Sequence, residues 1–211
     1  MALYACCVSA AAQPESGVRA IARDAVRARI SEVAVDLFDE QGFENVTVEQ
    51  VAAEVGISAR SFHRYFPAKE DAVIVEPVGW GEVVRERFAA RPADEPVWDG
   101  LRAAYESLLA TPGRDEARGK RAMRVLGSTP ALRARNLEKH LLWARLLTPL
   151  VADRIGGSDA TLRAEAIVQA SLGCFDIALA AWATDTTGAD PKVLLRVAFD
   201  ALTALREDRL P

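Results

Sequence analysis

The stretch Ile57–Phe66, ISARSFHRYF, gathers serine, arginine, histidine and tyrosine side chains in one short run. Such groups can build a catalytic or metal centre, or a surface that reads another molecule. A metal centre needs partners for His63. The chain has only one other histidine, His140, and no HxxxH pair or cysteine stands near residue 63. Cys6, Cys7 and Cys174 have neither zinc-site nor disulfide-framework spacing, which favours a reduced, cytoplasmic setting. Cys174 sits in an apolar run, where a thiol is a poor nucleophile. No Ser/His/Asp or Cys/His arrangement has local support. The sequence therefore predicts no catalytic residue, no metal and no cofactor, and leaves a reading surface.

The elements that must position this stretch are helices. Of the 211 residues 50% are hydrophobic but only 7% aromatic, and no strand-like alternation occurs. The reading is all-α, with about nine helices. Apolar residues at three- and four-residue steps predict a helix over 19–41, stopped by Gly42. Thr47 and Gln50 have capping-box spacing before VEQVAAEV, which ends at Gly56. Ser58 caps a short helix over 59–65, closed by Pro67. Further helices are expected over 68–90 (bent or broken near Pro77 and Gly79), 97–111, 114–127, 130–155 (kinked at Pro149), 160–184 and 190–206. The domains predicted are a flexible extension over 1–18, a three-helix unit over 19–67 and a helical layer over 68–211. The first residues have no basic region of a signal peptide, and no run approaches the roughly 20 uninterrupted apolar residues of a membrane span.

Two short helices joined by GIS have a helix-turn-helix layout, with Ala52, Ala53 and Gly56 small enough for the close approach. Val51, Val55, Ile57 and Phe62 are spaced to lock the pair onto the first long helix. Ala59, Arg60, Ser61, His63, Arg64 and Tyr65 then face outward and suit phosphate and base-edge contacts. Arg60 is the candidate base reader, since a guanidinium can pair both acceptors of guanine. Each has a plainer reading: Thr47 a cap, Tyr65 a packing residue, Arg64 a solvated charge. The formal net charge of −4 means that any basic surface must be local. Asp36, Asp39, Glu40, Glu44, Glu49 and Glu54 would face away from DNA, and Arg19, Arg23, Arg27 and Arg29 on the leading arm toward it.

Residues 29–73 resemble the DNA-binding domain of the TetR family of bacterial repressors. LFDEQGF, TVEQVAAEVGIS, RSFHRYF and KEDAV stand in that family's order and spacing. The resemblance implies a homodimer with one reading head per subunit and a helical body that binds a small molecule. It implies a phosphate contact from Thr47 and from Lys69. Ser58, Ala59, Arg60 and Ser61 would lie at the groove-facing helix start, with His63 and Tyr65 flanking the backbone. Position 63 is more often Tyr or Phe in the family, and Ala68 replaces a common capping Ser or Asn.

The expected function is a ligand-released repressor on a near-palindromic operator. The rivals are an all-helical enzyme, or a small-molecule binder without specific DNA reading. In the body, Tyr105, Met123, Leu126, Trp143, Leu147 and Phe175 are the pocket candidates, with Trp80, Phe88 and Trp98 as further aromatic choices. Residues 121–147 and RPADEP resemble a branch that binds acyl-CoA-like ligands. That likeness implies an elongated apolar pocket whose basic mouth draws on Arg121, Arg124, Arg133, Arg135 or Arg145. His140 is read as a surface or core-edge residue. The last two helices are apolar around their circumference. Leu172, Leu179, Trp182, Val197 and Leu202 are the dimer candidates. DNA, an effector and a second copy are the expected partners, with no membrane.

Overall fold

The computed structural model describes residues 17–74, 77–109 and 115–206, so the expected extension over 1–18 lies almost wholly outside the described residues. Within them the chain forms nine α-helices and no strand. They are α1 (Val18–Gln41), α2 (Val48–Val55), α3 (Ala59–Tyr65), α4 (Pro77–Ala89), α5 (Val97–Leu109), α6 (Glu116–Ser128), α7 (Pro130–Ile155), α8 (Ala160–Thr184) and α9 (Pro191–Arg206). Short 3-10 turns occupy Phe43–Asn45 and Lys69–Ala72.

Local signals explain most boundaries. Gly42, at φ 85°, stops α1 and donates its N–H to Phe38 O at 3.0 Å. Asp115 caps α6 by accepting from Arg118 N. Thr129 Oγ1 accepts from Leu132 N, and Pro130 opens α7 where a missing N–H costs nothing. α7 continues through Pro149, whose side chain is exposed.

The expectation of one helix over 68–90 is corrected. Lys69–Ala72 is a separate 3-10 turn, and α4 starts afresh at Pro77. A proline has no N–H to continue a helix, and it drives the preceding residue out of the helical region. Ala68, which stands where a capping Ser or Asn is common, has no side-chain oxygen to cap the turn, and its own N–H is met from the far side. Asp71 Oδ2 accepts from Ala68 N at 3.0 Å.

The described residues divide into two compact units: 17–74 with 115–137, and 77–109 with 138–206. A boundary at 67/68 does not match this division by compactness. In the first unit, the head, Ile30, Ala34 and Phe38 of α1 enclose a core with Phe43, Val51, Phe62 and Phe66. Val125 and Leu126 of α6 and Leu132 of α7 complete it. Phe62 is fully buried, and a buried phenylalanine contributes about 1.5–3 kcal/mol by leaving water.

In the second unit, the body, the core runs through Phe88, Leu101, Tyr105, Trp143, Leu147, Leu172, Phe175 and Phe199. The Tyr105 and Phe175 rings stack with centroids 4.9 Å apart. Gly81 lets α4 approach α7, because a Cβ there would come within 2.6 Å of Trp143 Cδ1. α8 is long and apolar enough to cross a membrane by length and composition. Half of its most apolar window is buried inside the fold, with Leu172, Phe175 and Ala178 in the body core.

Candidate DNA-reading site

The head builds an outward-facing α3 from short-range constraints. Thr47 Oγ1 accepts from Gln50 N at 3.2 Å, and Gln50 Oε1 accepts from Thr47 N at 2.7 Å. This capping box fixes the start of α2 as its spacing predicts. Gly56, at φ 80°, makes the left-handed turn out of α2, and Ile57 N donates back to Ala52 O at 2.8 Å. Ser58 Oγ then accepts from Ser61 N at 3.1 Å and opens α3.

Phe62 and Phe66 bury one side of α3. Arg60, His63 and Arg64 are exposed on the rest, while Ala59, Ser61 and Tyr65 are half-buried. The predicted outward set is therefore brought onto the accessible side of one helix. His63 Nδ1 lies 3.3 Å from Pro67 O. A carbonyl can only accept, so in this contact Nδ1 carries the proton. Arg64 lies against the Tyr65 ring, 5.3 Å from its centroid. Arg23, Arg64 and Tyr65 line a shallow hollow of about 250 Å³. Two cations and a ring edge there suit a phosphate.

Two expected contacts are redirected. Lys69 Nζ donates to Phe43 O at 2.7 Å and Val46 O at 2.8 Å, and stands 4.1 Å from the Phe43 ring centroid. Two of its three N–H groups are thus used inside the head, which departs from the phosphate contact expected of it. Arg27, expected on the arm, donates to Tyr65 O at 2.6 Å and lies 4.6 Å from the Phe66 ring centroid. It holds the end of α3 instead of projecting from it. Arg23 remains exposed, Arg29 pairs with Glu32, and the Arg19 side chain lies outside the described residues.

The acids of α1 also find partners that sequence spacing alone did not reveal. Arg118 Nη1 lies 2.7 Å from Glu32 Oε1. Arg121 Nε is 3.0 Å from Asp36 Oδ1, and Arg124 grips both oxygens of Asp39 at 3.2 and 2.7 Å. Arg135 binds Asp71 Oδ1 through Nε at 2.8 Å and through Nη2. Arg121, Arg124 and Arg135 were expected at a ligand mouth, and they are ion-paired within the head instead. Met123 and Leu126 also leave the pocket set, since they pack in the head core. Arg133 donates to Gly127 O, and Arg145 is exposed.

Tyr105, Trp143, Leu147 and Phe175 do come together in the body core, with Trp80, Phe88 and Trp98 packed into or against it. The Tyr105 hydroxyl lies 3.1 Å from Ser171 Oγ, and burial raises its pKa far above the usual phenol range. Burial likewise pushes the Cys174 thiol up, and its Sγ faces Ala198 O at 3.4 Å. A thiol held protonated is a poor nucleophile, which speaks against the enzymatic rival. His140 is buried at the core edge, with Nε2 3.1 Å from Asp176 Oδ1.

Of the dimer candidates, Leu172 and Trp182 are buried in the body itself and Leu179 is half-buried. They are corrected as outward contacts: helical spacing placed them on an apolar face, and the body's own core takes that face. Val197 and Leu202 are exposed, as are Ile177 and Val193.

Comparisons with known proteins agree on one kind of molecule. Residues 30–73 match the profile described as bacterial regulatory proteins, tetR family. Residues 95–207, more than half of the chain, match the profile described as the MftR C-terminal domain. MftR of Mycobacterium tuberculosis, named as a candidate mycofactocin biosynthesis transcriptional regulator, is 27% identical over 181 residues, covering 83% of this chain and 88% of that protein. The HTH-type transcriptional regulator TcmR of Streptomyces glaucescens is 30% identical over 129 residues, covering 58% and 57%. Among solved structures, Thermus thermophilus FadR, described as a transcriptional repressor in complex with lauroyl-CoA, superposes with a TM-score of 0.54 at 25% identity, covering 88% of this chain and 95% of that one. NalD of Pseudomonas aeruginosa superposes with a TM-score of 0.56 at 18% identity, covering 86% and 96%, a likeness of fold alone.

Proposed function

Because the chain belongs to the TetR family of bacterial regulatory proteins, we propose that this transcriptional regulator is a ligand-released repressor that reads a near-palindromic operator as a dimer. The observation that carries this reading is α3 itself. Phe62 and Phe66 anchor it, a serine caps it, and Arg60, His63 and Arg64 stand in solvent along it.

The residues take distinct parts. Arg60 reads a base edge in the major groove, where a guanidinium can grip guanine. Ser58, Ala59 and Ser61 lie at the groove-facing start, and Thr47 pairs its capping role with a phosphate contact. Arg23, Arg64 and Tyr65 receive a backbone phosphate in their shared hollow. His63 flanks the backbone. Lys69 and Arg27 act indirectly, by holding the α1–α2 link and the end of α3.

Two heads must be spaced by about 34–36 Å to enter successive major grooves, which a dimer supplies. Ile177, Val193, Val197 and Leu202 are the exposed apolar residues of α8 and α9 that fit such an interface. The effector is an elongated apolar, acyl-CoA-like molecule held by the body around Trp143 and Phe175. Support comes from the apolar lining and from FadR with its lauroyl-CoA. Release requires that the effector prefer the conformation that does not bind DNA, and DNA then weakens effector binding by the same factor. The regulator acts where the chromosome is, in the cytoplasm.

Selection from random duplexes tests the reading. An inverted repeat should be enriched, and Arg60→Ala should weaken binding to it by about 1–3 kcal/mol while nonspecific binding persists. Lauroyl-CoA should release the selected duplex. Failure to enrich any sequence would favour a small-molecule binder without specific reading.

A further inference from the structure

Three exposed side chains on α3 can carry charge, and in one of them, His63, the charge comes and goes with a proton. Its ring is held on two sides. Nδ1 meets Pro67 O at 3.3 Å, and the ring stands edge-on to the fully buried Phe62, with centroids 5.6 Å apart and planes at 84°. Among the described residues no carboxylate lies within ion-pair distance of it. The charged groups of the surrounding elements are basic, engaged or turned to water. Arg60 and Arg64 flank it on α3, and Arg23 of α1 shares a hollow with Arg64. Arg27 holds Tyr65 O, while Glu32, Asp36 and Asp39 of α1 pair with α6. Glu49 and Glu54 of α2 are exposed. In the turn after α3, Lys69 holds two carbonyls, Asp71 pairs with Arg135, and Glu70 is half-buried.

The oxygens of a DNA phosphate accept hydrogen bonds and have none to donate. Pro67 O is an acceptor too, and it takes the Nδ1 proton. A neutral ring has no second proton, so beside a phosphate its Nε2 would present a lone pair to another lone pair. A ring protonated on both nitrogens donates to the carbonyl and the phosphate at once, and adds a positive charge. Imidazole makes this change near neutral pH, and a nearby negative charge favours it. The other use of a neutral Nε2 is to accept from a base amino group in the major groove, which needs no proton.

We infer that His63 contacts a backbone phosphate as an imidazolium, so that DNA binding takes up a proton at each head. The inference rests on the DNA-reading function of α3 and names a regulation of that surface by pH. By linkage, a complex that holds more protons than the free chain weakens as pH rises. A phosphate contact carries no sequence information, so the effect extends to any duplex.

Fluorescence anisotropy of the full chain at fixed ionic strength tests this, with the selected operator and with a mixed-sequence duplex. Both affinities should fall at least about fivefold between about pH 6 and pH 8. Calorimetry near neutral pH, in buffers of different ionisation enthalpy, should record uptake of up to about one proton per head. His63→Asn can still donate to Pro67 O but cannot become charged, so its affinity should be flat with pH and its proton uptake lost. His63→Lys is charged throughout the range and should bind without the fall. Thermal melts of each variant at both ends of the range separate a lost contact from a lost fold. A native affinity indifferent to pH, or a fall that persists in His63→Asn, would overturn the inference, and an enriched operator would then leave the regulator reading standing. Failure to enrich an operator strikes the regulator reading alone, because the mixed-sequence duplex still reports the phosphate contact. Binding of neither duplex overturns both.

Discussion

Lys69 and Arg27 turn their charges inward, and this separates two kinds of basic residue in the head. A charge-assisted hydrogen bond contributes about 1.5–3 kcal/mol, and Lys69 makes two to the link between α1 and α2. Lys69→Met should lower the unfolding midpoint in chemical denaturation and leave the salt dependence of DNA binding unchanged. Arg64→Gln should do the reverse: stability unchanged, and a slope of log K against log salt shallower by about one. A shallower slope in Lys69→Met would return that residue to the phosphate backbone. The two cannot be told apart in the sequence, where each is a cation within three residues of an aromatic. What decides is whether backbone carbonyls lie within reach, and those of Phe43 and Val46 are more than twenty residues away along the chain.

Helix α1 illustrates the same separation at the level of elements. Its acids at 32, 36 and 39 recur once per turn, as do the arginines at 118, 121 and 124 of α6, so the two rows meet pair by pair. Exposed ion pairs are individually weak, about 0.2–1 kcal/mol. A charge-reversal cycle is the clean measurement. Arg121→Asp should destabilise the head, and adding Asp36→Arg should recover most of the loss, with a coupling of about 0.5–1 kcal/mol in thermal denaturation. Zero coupling would mean that the row is solvated charge. The helix-turn-helix is legible from its caps and glycines, all within a few residues of one another. The attachment of α6 is not, because its partners lie 85 or 86 residues away and an acidic stripe reads equally as a solvated face.

At the scale of the whole molecule, the apolar circumference of α8 and α9 has two separate uses. Leu172, Phe175 and Trp182 fill the body's own interior, and Ile177, Val193, Val197 and Leu202 are left outward. A charge buried in a dimer interface is costly, so Val197→Glu should yield monomer in size-exclusion with light scattering. The same variant should weaken operator binding, since a single head loses the second half-site. A Val197→Glu chain that remains dimeric at micromolar concentration would place the interface on another face.

The amino-acid sequence by itself determined the all-α class, the helix-turn-helix and its caps, and the outward set on α3. Those features follow from interactions spanning three or four residues, which local spacing encodes directly. Tertiary structure decided which neighbour each helical face meets. It drew Arg27 and Lys69 inward, paired α6 with α1, and moved Met123 and Leu126 into the head. Helical periodicity tells which residues share a face, but the partner of that face lies far along the chain, and only folding brings the two together.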